Sequence, residues 1–391
     1  MRASMLSPYF IIMAATILFG WFLARTLPFY KKTLKTEEHG RYEMLDGLRG
    51  ILALAVFFQH AVTNHFYFEH GFWQITDERF YRHLGGGAVI MFFMITSFLY
   101  WSKAIAKKGN MNTLNLYTNR VLRLAPMYLF SAAVVTLIAL FATHFDLSQP
   151  IVLVRGILSW FTLGLETTTS INGISIIPFN AGIHWTLHFE WIFYLVLPIA
   201  ALILTKTPLR FIAVPIFAYV LLSPYRGYWM IFFFGIAAAH IVVRYPTMPW
   251  LKSKLAGLVP LLGLVLVYFM NYKPYSPAQY LVTLGVLLCF IYGNSMFGLL
   301  QTVSAKFLGT ISYSIYLLHG IVLYLTLSAV NYFYPIADLS VAVYWGVIFV
   351  AALLTVFVSA FTYQYIEYPF IERIARAKKT TSLEGEVEKT M

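Results

Sequence analysis

Residues 45–60, with the sequence LDGLRGILALAVFFQH, place ionisable side chains in a run that is otherwise apolar. Arg49 lies near the start of this run and His60 ends it, eleven residues further on. In a helix this separation is close to three turns, so both side chains project from one face with about 16 Å between their levels. Ionisable residues inside apolar helices are costly and usually face a cavity or a partner. Arg49 and His60 are therefore candidate functional residues.

Four other segments carry ionisable residues in or beside apolar sequence. HWTLHFEWIFYLVLP contains Glu190, and LGTISYSIYLLHGIV contains His319. NRVLRLAPMY supplies Arg120 and Arg123, and IEYPF places Glu367 at the end of the last apolar run.

These residues form two groups with different chemistry. Arginine suits phosphate because guanidinium stays charged and contacts oxyanions through paired hydrogen bonds. The arginine group, predicted at the cytoplasmic ends of its helices, comprises Arg49, Arg120 and Arg123. Histidine with a carboxylate suits proton transfer near neutral pH. This deeper group comprises His60, Glu190 and His319. Glu190 is predicted about two turns below the outer surface, close to the depth of His60, and His319 is predicted near mid-membrane. A long cosubstrate with a phosphorylated head and a reactive tip would join the two groups.

The elements that position these residues are predicted to be membrane spans. Of 391 residues, 60% are hydrophobic and 11% are charged, whereas about a quarter of a soluble domain is charged. Apolar runs of roughly 20 residues recur, as membrane-spanning helices require. Cys289 is the single cysteine, which excludes a disulfide framework and a cysteine metal site. The sequence therefore predicts an all-α polytopic membrane protein without a metal site.

We predict eleven transmembrane helices, with the N-terminus outside and the C-terminus in the cytoplasm. The spans are expected near residues 6–27, 46–67, 84–102, 124–144, 184–204, 209–223, 227–243, 255–271, 278–299, 307–330 and 341–366. The stretch 151–166 is shorter and contains Arg155 and Glu166, so we predict an interfacial or re-entrant segment there.

The net charge of +12 follows from this topology. It places 22 of the 28 Lys and Arg residues on the cytoplasmic side, as the positive-inside rule requires. The charge therefore needs no nucleic-acid partner. The predicted organisation is an extra N-terminal helix (1–28), a cytoplasmic linker (29–44), a membrane domain (45–372) and a polar, basic cytoplasmic tail (373–391).

Six segments in this order resemble acyltransferase family 3, the integral-membrane O-acyltransferases of bacterial surface glycans. The segments are LDGLRGILALAVFFQH, GGGAVIMFFMITSFLYW, NRVLRLAPMY, HWTLHFEWIFYLVLP, LGTISYSIYLLHGIV and IEYPF. Each motif alone is weak, but six in order are specific. The resemblance runs over roughly 45–372 and implies a ten-helix core, to which the span at 6–27 is an addition.

The resemblance also implies roles for single residues. The family's arginine and histidine, separated by ten residues, match Arg49 and His60, and the histidine is the expected catalytic residue. Its W-x-L-x-x-E segment matches Trp185 and Glu190, and its S-Y-x-x-Y-L-x-H segment matches His319. The family's paired arginines match Arg120 and Arg123. Supporting roles are expected for Asp46, Trp185, His319 and Glu367.

The resemblance implies transfer of an acyl group, usually acetyl, from cytoplasmic acetyl-CoA to a hydroxyl group outside the bacterial inner membrane. The expected acceptor is a saccharide or lipid-linked saccharide, such as lipopolysaccharide O-antigen or exopolysaccharide. The arginines would hold the CoA phosphates. His60, assisted by Glu190, would act either as a general base or as a transient acyl acceptor.

Two departures from the family accompany this resemblance. Thr96-Ser97 stands where the family usually has Ser-Gly, which bears on how closely helices approach there. Many members append an extracytoplasmic esterase-like domain. None is found in this sequence, so transfer is expected to be direct or to use a separate extracytoplasmic partner.

The alternative function is a proton-coupled transporter or flippase of a glycolipid or metabolite. His60 and Glu190 would then form a proton relay. That function does not explain why three arginines are predicted at the cytoplasmic ends of the helices. Thiol release that depends on protein and acetyl-CoA would distinguish the two functions.

Overall fold

The computed structural model describes residues 7–36, 42–166, 169–205, 222–269 and 275–376, and most of them are helical. The helices are α1 Ser7–Thr26, α2 Pro28–Thr36, α3 Glu43–His70, α4 Arg79–Ala106, α5 Thr113–Ala142, α6 Pro150–Trp160, α7 Ile177–Asn180, α8 His184–Thr205, α9 Arg226–Arg244, α10 Val259–Phe269, α11 Pro277–Ile291, α12 Val303–Thr310, α13 Ser312–Phe333 and α14 Val341–Thr362. A π-helical turn, Tyr363–Glu367, continues α14. Two short strands, β1 Ser170–Ile171 and β2 Ile174–Ser175, pair antiparallel.

Eight helices in the described ranges are long and apolar enough to cross a membrane, and each coincides with a predicted span. They are α1, α3, α4, α5, α8, α9, α13 and α14. The predicted spans 255–271 and 278–299 correspond to the shorter helices α10 and α11. Most of the predicted span 209–223 and the tail beyond residue 376 lie outside the described residues. The all-α polytopic architecture is confirmed, while the count of eleven stays a prediction.

Helices α3 and α4 lie at the centre of the bundle. In their most apolar stretches 78% and 72% of the residues are buried, against 33–50% in the other six spans. Helix α9 packs against α4, whereas α12 and α13 pack against α3. Because protein rather than lipid surrounds α3 and α4, these two helices are suited to carry ionisable side chains.

Glycines let α12 approach the start of α3 closely. A Cβ atom on Gly309 would overlap the backbone of Asp46, and one on Gly50 would overlap the backbone of Gly309. Small residues at a helix contact allow such an approach between backbones. This contact fixes the position of Asp46 and Arg49 relative to α12.

The pair Thr96-Ser97 does not prevent a close helix approach. Ser97 Oγ donates a hydrogen bond to the Phe93 carbonyl at 2.9 Å within its own helix. A Cβ atom on Gly235 of α9 would overlap Ser97 and Met94. The small residue at this contact is therefore supplied by α9 rather than by α4.

The described residues between α5 and α8 pack against the neighbouring helices. Helix α6 has 11 residues, too few to cross a bilayer, as expected for a non-spanning stretch. Its Trp160 ring lies 5.7 Å from Tyr128 and 5.9 Å from His184. Further on, the Asn180 backbone packs against Gly320 of α13. The first residue of α8, His184, therefore packs against α6.

Part of the predicted linker 29–44 is helical, because residues 28–36 form the packed helix α2. Tyr30 is fully buried, and its hydroxyl donates to the Ala360 carbonyl at 2.6 Å. Helix α2 is therefore anchored to the last span.

Candidate functional site

His60 of α3 and His319 of α13 form a hydrogen-bonded pair. His60 Nδ1 lies 2.8 Å from His319 Nε2, and the two rings are inclined by 15°. The exposed fractions are 6% for His60 and zero for His319. The structure thus brings together two residues that the sequence analysis had grouped.

Hydrogen bonds around this pair define which ring nitrogen carries each hydrogen. His319 Nδ1 lies 2.8 Å from the Tyr316 carbonyl and 3.2 Å from the Ile315 carbonyl. Because a carbonyl oxygen only accepts, Nδ1 of His319 carries the hydrogen, and its Nε2 is an acceptor when the ring is neutral. His60 Nδ1 must therefore donate to His319. This leaves the lone pair of the neutral His60 ring on Nε2.

The three predicted arginines line one cavity of about 240 Å³ between α3, α4, α5, α8 and α13. These are Arg49, Arg120 and Arg123. Lys103 also lines the cavity and adds a fourth cation. Arg49 Nη1 lies 3.5 Å from the carboxylate of Asp46, one helical turn away. The cavity therefore has the charge and the donors that a phosphate group requires.

Aromatic rings and a hydrogen-bond chain hold Arg120 in place. Its guanidinium lies 5.0 Å from the Tyr100 ring centre and 5.5 Å from that of Tyr194. Arg120 donates to the Tyr194 hydroxyl, which in turn donates to the carboxylate of Glu190. The Nε atom of Arg120 is buried and has no hydrogen-bond partner. The guanidinium thus keeps a donor that the described protein atoms leave unsatisfied.

Glu190 lies with the arginines rather than beside the histidine pair, while its predicted assistance to His60 stays a prediction. It lines the arginine cavity and lies 3.5 Å from Thr96 Oγ1. One turn earlier in α8, Thr186 Oγ1 lies 2.7 Å from the hydroxyl of Tyr316. Since α8 and α13 run in opposite directions, Glu190 lies about 10 Å from the level of His319 along the helices. Helix α8 begins at His184, which is buried beside Trp160 of α6, so the level of Glu190 depends on this packing as well as on its position along the helix.

The cavity ends about one helical turn from the histidine pair. Tyr316 lines it and precedes His319 by three residues, with ring centres 5.9 Å apart. On α4, Val89 lines the cavity. Gly85, one turn away, packs against Gln59, the neighbour of His60. From Lys103 to Val89 the cavity follows α4 for about 21 Å, and so it joins the arginines to the surroundings of the histidines.

Three of the predicted supporting residues, Asp46, Trp185 and Glu367, also lie outside the cavity lining. Trp185 belongs to an aromatic cluster, with its ring 4.9 Å from Tyr228. Glu367 is fully buried in the π-helical turn and accepts a hydrogen bond from Ser314 Oγ at 3.0 Å. Its second carboxylate oxygen has no hydrogen-bond partner among the described residues, and Arg123 lies close enough to interact electrostatically.

Apart from Glu190, the polar residues that line the cavity on α4 and α8 were missed from the sequence, although both rows follow helical spacing. On α4 the positions i, i+4 and i+7 carry Thr96, Tyr100 and Lys103. On α8 the positions i, i+4 and i+8 carry Thr186, Glu190 and Tyr194. A search for polar side chains at three- and four-residue intervals within apolar spans would have found both rows.

The arrangement combines two chemical capacities. The arginine cavity can hold an anionic, phosphate-bearing group. The neutral His60 ring can take a proton on Nε2 and share the resulting charge with His319 through their hydrogen bond. A molecule that reaches from one group to the other would bring its far end to a base.

Comparison with known proteins identifies a family and no individual relative. The model of a family described as an acyltransferase domain, acyltransferase 3, matches residues 42–364. No curated protein and no solved structure matches the chain. The matched range begins just before α3 and ends just after α14. It therefore contains the histidine pair and the whole arginine cavity.

Proposed function

Because this chain belongs to the acyltransferase 3 family, we propose that it is a membrane O-acyltransferase that uses acetyl-CoA as donor. The proposed acceptor is a hydroxyl of an extracytoplasmic saccharide, such as O-antigen or exopolysaccharide, at the bacterial inner membrane. One observation carries this proposal. The cavity lined by the three arginines extends to within about one helical turn of the buried histidine pair.

The donor would enter from the arginine side. Its pyrophosphate would bind Arg49, Arg120 and Arg123, since guanidinium groups match phosphate oxygens with paired hydrogen bonds. The unsatisfied Nε of Arg120 supports this role. The pantetheine arm would follow α4 toward Tyr316, which would bring the thioester to the histidines.

His60 would act as the general base through Nε2. It removes the proton from the acceptor hydroxyl while the hydroxyl oxygen attacks the thioester carbonyl. The carbon–sulfur bond then breaks, the acyl group stays on the acceptor as an ester, and the thiolate leaves with the proton from His60. His319 accepts the hydrogen bond from His60 Nδ1 and stabilises the charged ring. Transient acylation of His60 Nε2 uses the same geometry.

Glu190 would act on the donor site rather than on His60. Its carboxylate accepts from Tyr194, and Tyr194 accepts from Arg120. A carboxylate in this chain orients the guanidinium and balances part of the charge of the arginine cluster. Glu190 is thus a positioning residue in this proposal.

A saccharide acceptor is supported by the surroundings of His60. Trp73, in the loop between α3 and α4, has its ring 6.2 Å from the His60 ring. An indole face offers a flat apolar surface with a polar edge, which suits a sugar ring. The acceptor hydroxyl would approach His60 from this side.

The first test is isothermal binding of CoA to the detergent-purified protein and to Arg120→Glu, Arg123→Glu, with acetyl-CoA thiol release followed in parallel. We expect wild-type binding that the variant loses, because two cavity cations become anions. The matched control is Arg155→Glu, Arg226→Glu, which changes the same charge at exposed residues outside the cavity.

Equal binding by wild type and the cavity variant would contradict the donor site. Absence of CoA binding by a well-folded wild type would overturn the acyltransferase reaction and favour the proton-coupled transporter. The control variant should bind like wild type, since its changed residues do not line the cavity.

A further inference from the structure

A second concave surface adjoins the arginine cavity where α4 ends and α5 begins. Its volume is about 770 Å³, and we call it the basic cleft. Tyr100, Lys103 and Arg120 line both the cavity and the cleft. The two spaces are therefore adjacent and share a wall formed by these three side chains.

The lining of the basic cleft is strongly cationic. Lys103, Lys107, Arg120 and Arg373 line it, and none of the described residues that line it is acidic. Lys107 and Arg373 are exposed, so a ligand in solution can reach both. Arg373 comes from the helical extension of α14, whereas Lys107 follows α4. Two distant parts of the chain thus bring cations to one concave surface.

Membrane topology alone does not require this convergence. The positive-inside rule is satisfied by cations anywhere on the cytoplasmic side, as at the exposed residues Lys108 and Arg244. The cleft also contains amide side chains. Asn115 and Asn119 lie four residues apart on one face of α5 and line the cleft. Amides both donate and accept, which suits a ribose or a base edge better than it suits a lipid phosphate alone.

The size of the arginine cavity shows that it cannot hold a complete CoA molecule. Its volume is about 240 Å³, below the roughly 300–1,000 Å³ of sites that enclose drug-sized ligands. CoA is larger than such ligands, so part of it must lie on an adjoining surface. The basic cleft is such an adjoining surface, because it shares three lining residues with the cavity.

We propose that the basic cleft binds the 3′-phosphoadenosine end of acyl-CoA. The 3′-phosphate lies between Lys107 and Arg373, and the nucleoside lies along Asn115 and Asn119. This inference rests on the proposed function, since it adds a site for the nucleotide end of the CoA whose pyrophosphate would bind in the arginine cavity. It assigns a ligand to a surface outside the arginine cavity.

The test compares CoA with 3′-dephospho-CoA, which lacks only the phosphate concerned. Isothermal titration uses the full chain in detergent, as wild type and as Lys107→Ala, Arg373→Ala. We expect wild type to bind CoA about tenfold more tightly than 3′-dephospho-CoA, since charge-assisted contacts to a phosphate are strong. The variant should lose this preference and bind 3′-dephospho-CoA like wild type.

The matched control is Lys108→Ala, Arg244→Ala, which removes one lysine and one arginine that do not line the cleft. It should keep the preference for CoA. The milder pair Lys107→Gln, Arg373→Gln serves the same purpose as the alanine pair if that variant unfolds. Exposed side chains of this kind rarely decide folding.

Two results would overturn the inference alone. These are a wild type that binds both nucleotides equally, and a cleft variant that keeps the preference or loses it no more than the control. Failure of wild type to bind either nucleotide would overturn the proposed function as well. The comparison with 3′-dephospho-CoA thus shows whether only the proposed 3′-phosphate site is wrong or whether CoA is not the donor at all.

Discussion

His60 is the residue on which the proposed chemistry depends most directly. General-base catalysis contributes about 100- to 10,000-fold to a rate. We therefore expect His60→Ala to lower thiol release from acetyl-CoA by about that factor in native membranes, where the acceptor is present. CoA binding, measured by titration, should stay unchanged, because His60 does not line the arginine cavity. Near wild-type turnover in a folded His60→Ala protein would exclude this role.

His319 controls which nitrogen of His60 is free, so its substitution should change turnover without changing donor affinity. We expect His319→Ala to lower kcat about 10- to 100-fold at unchanged KM for acetyl-CoA, since a buried orienting hydrogen bond is lost. His319→Gln should recover part of the loss, because its amide oxygen can accept from His60 Nδ1. The measurement is a kinetic comparison of the two variants. A glutamine variant no better than alanine would indicate a packing role only.

Substitution of Glu190 distinguishes a role in the arginine cavity from the predicted role beside His60. If it organises Arg120 through Tyr194, then Glu190→Gln and Tyr194→Phe should each raise KM for acetyl-CoA about tenfold with little change in kcat. Their double variant should cost little more than either single change, because both break one hydrogen-bond chain. Steady-state kinetics of the three variants measure this. A fall in kcat at constant KM would instead support assistance to His60.

At the scale of the elements, the histidine pair depends on how closely α7 approaches α13. A Cβ atom on Gly320 would overlap the backbone of Asn180, and Gly320 follows His319 directly. We expect Gly320→Ala to lower stability by about 1–3 kcal/mol, the usual cost of overpacking. Turnover should fall while CoA binding remains, because the displaced helix carries His319. Thermal unfolding and titration of the purified protein measure the two effects.

Gly346 of α14 provides the control, since a Cβ atom there would meet nothing within 4 Å. Gly346→Ala should leave stability and turnover close to wild type. An equal loss in both variants would show that helix flexibility, rather than the contact with Asn180, explains the effect.

The sequence predicted which elements exist better than where they begin and bend. Hydropathy identified all eight long spans, because a run of apolar residues is a local property. It also predicted one span over 307–330, which the structure divides at Ile311 into α12 and α13. The break follows Gly309, whose backbone packs against Asp46. Contacts between distant segments set such breaks, and hydropathy does not report them.

At the scale of the whole molecule, the sequence did not predict the relative levels of residues that lie on different helices. Spacing within one helix correctly placed Arg49 and His60 at different levels of α3. The level of Glu190 depends on how α8 packs, and α8 begins at the buried His184 beside Trp160 of α6. Relative depth between helices is a tertiary quantity. The arginine cavity was therefore predicted by its arginines but not by its tyrosines or by Glu190.

The proposed reaction also requires the whole molecule to be oriented with the arginine end toward the cytoplasm. The chain suits a labelling test because its only cysteine, Cys289, is buried. Asn110 lies in the exposed loop between α4 and α5, next to the basic cleft, and Leu147 lies in the exposed loop after α5. The two loops lie at opposite ends of helix α5.

We expect Asn110→Cys to react with a membrane-impermeant maleimide only in inverted vesicles, and Leu147→Cys only in right-side-out vesicles. Unsubstituted protein is the control for labelling of Cys289. The reason is that cations flank the first loop and the positive-inside rule keeps them in the cytoplasm. Labelling of Asn110→Cys from the outside would place the arginine cavity away from cytoplasmic CoA. The donor could not then reach its proposed site, whatever the affinity measured in detergent.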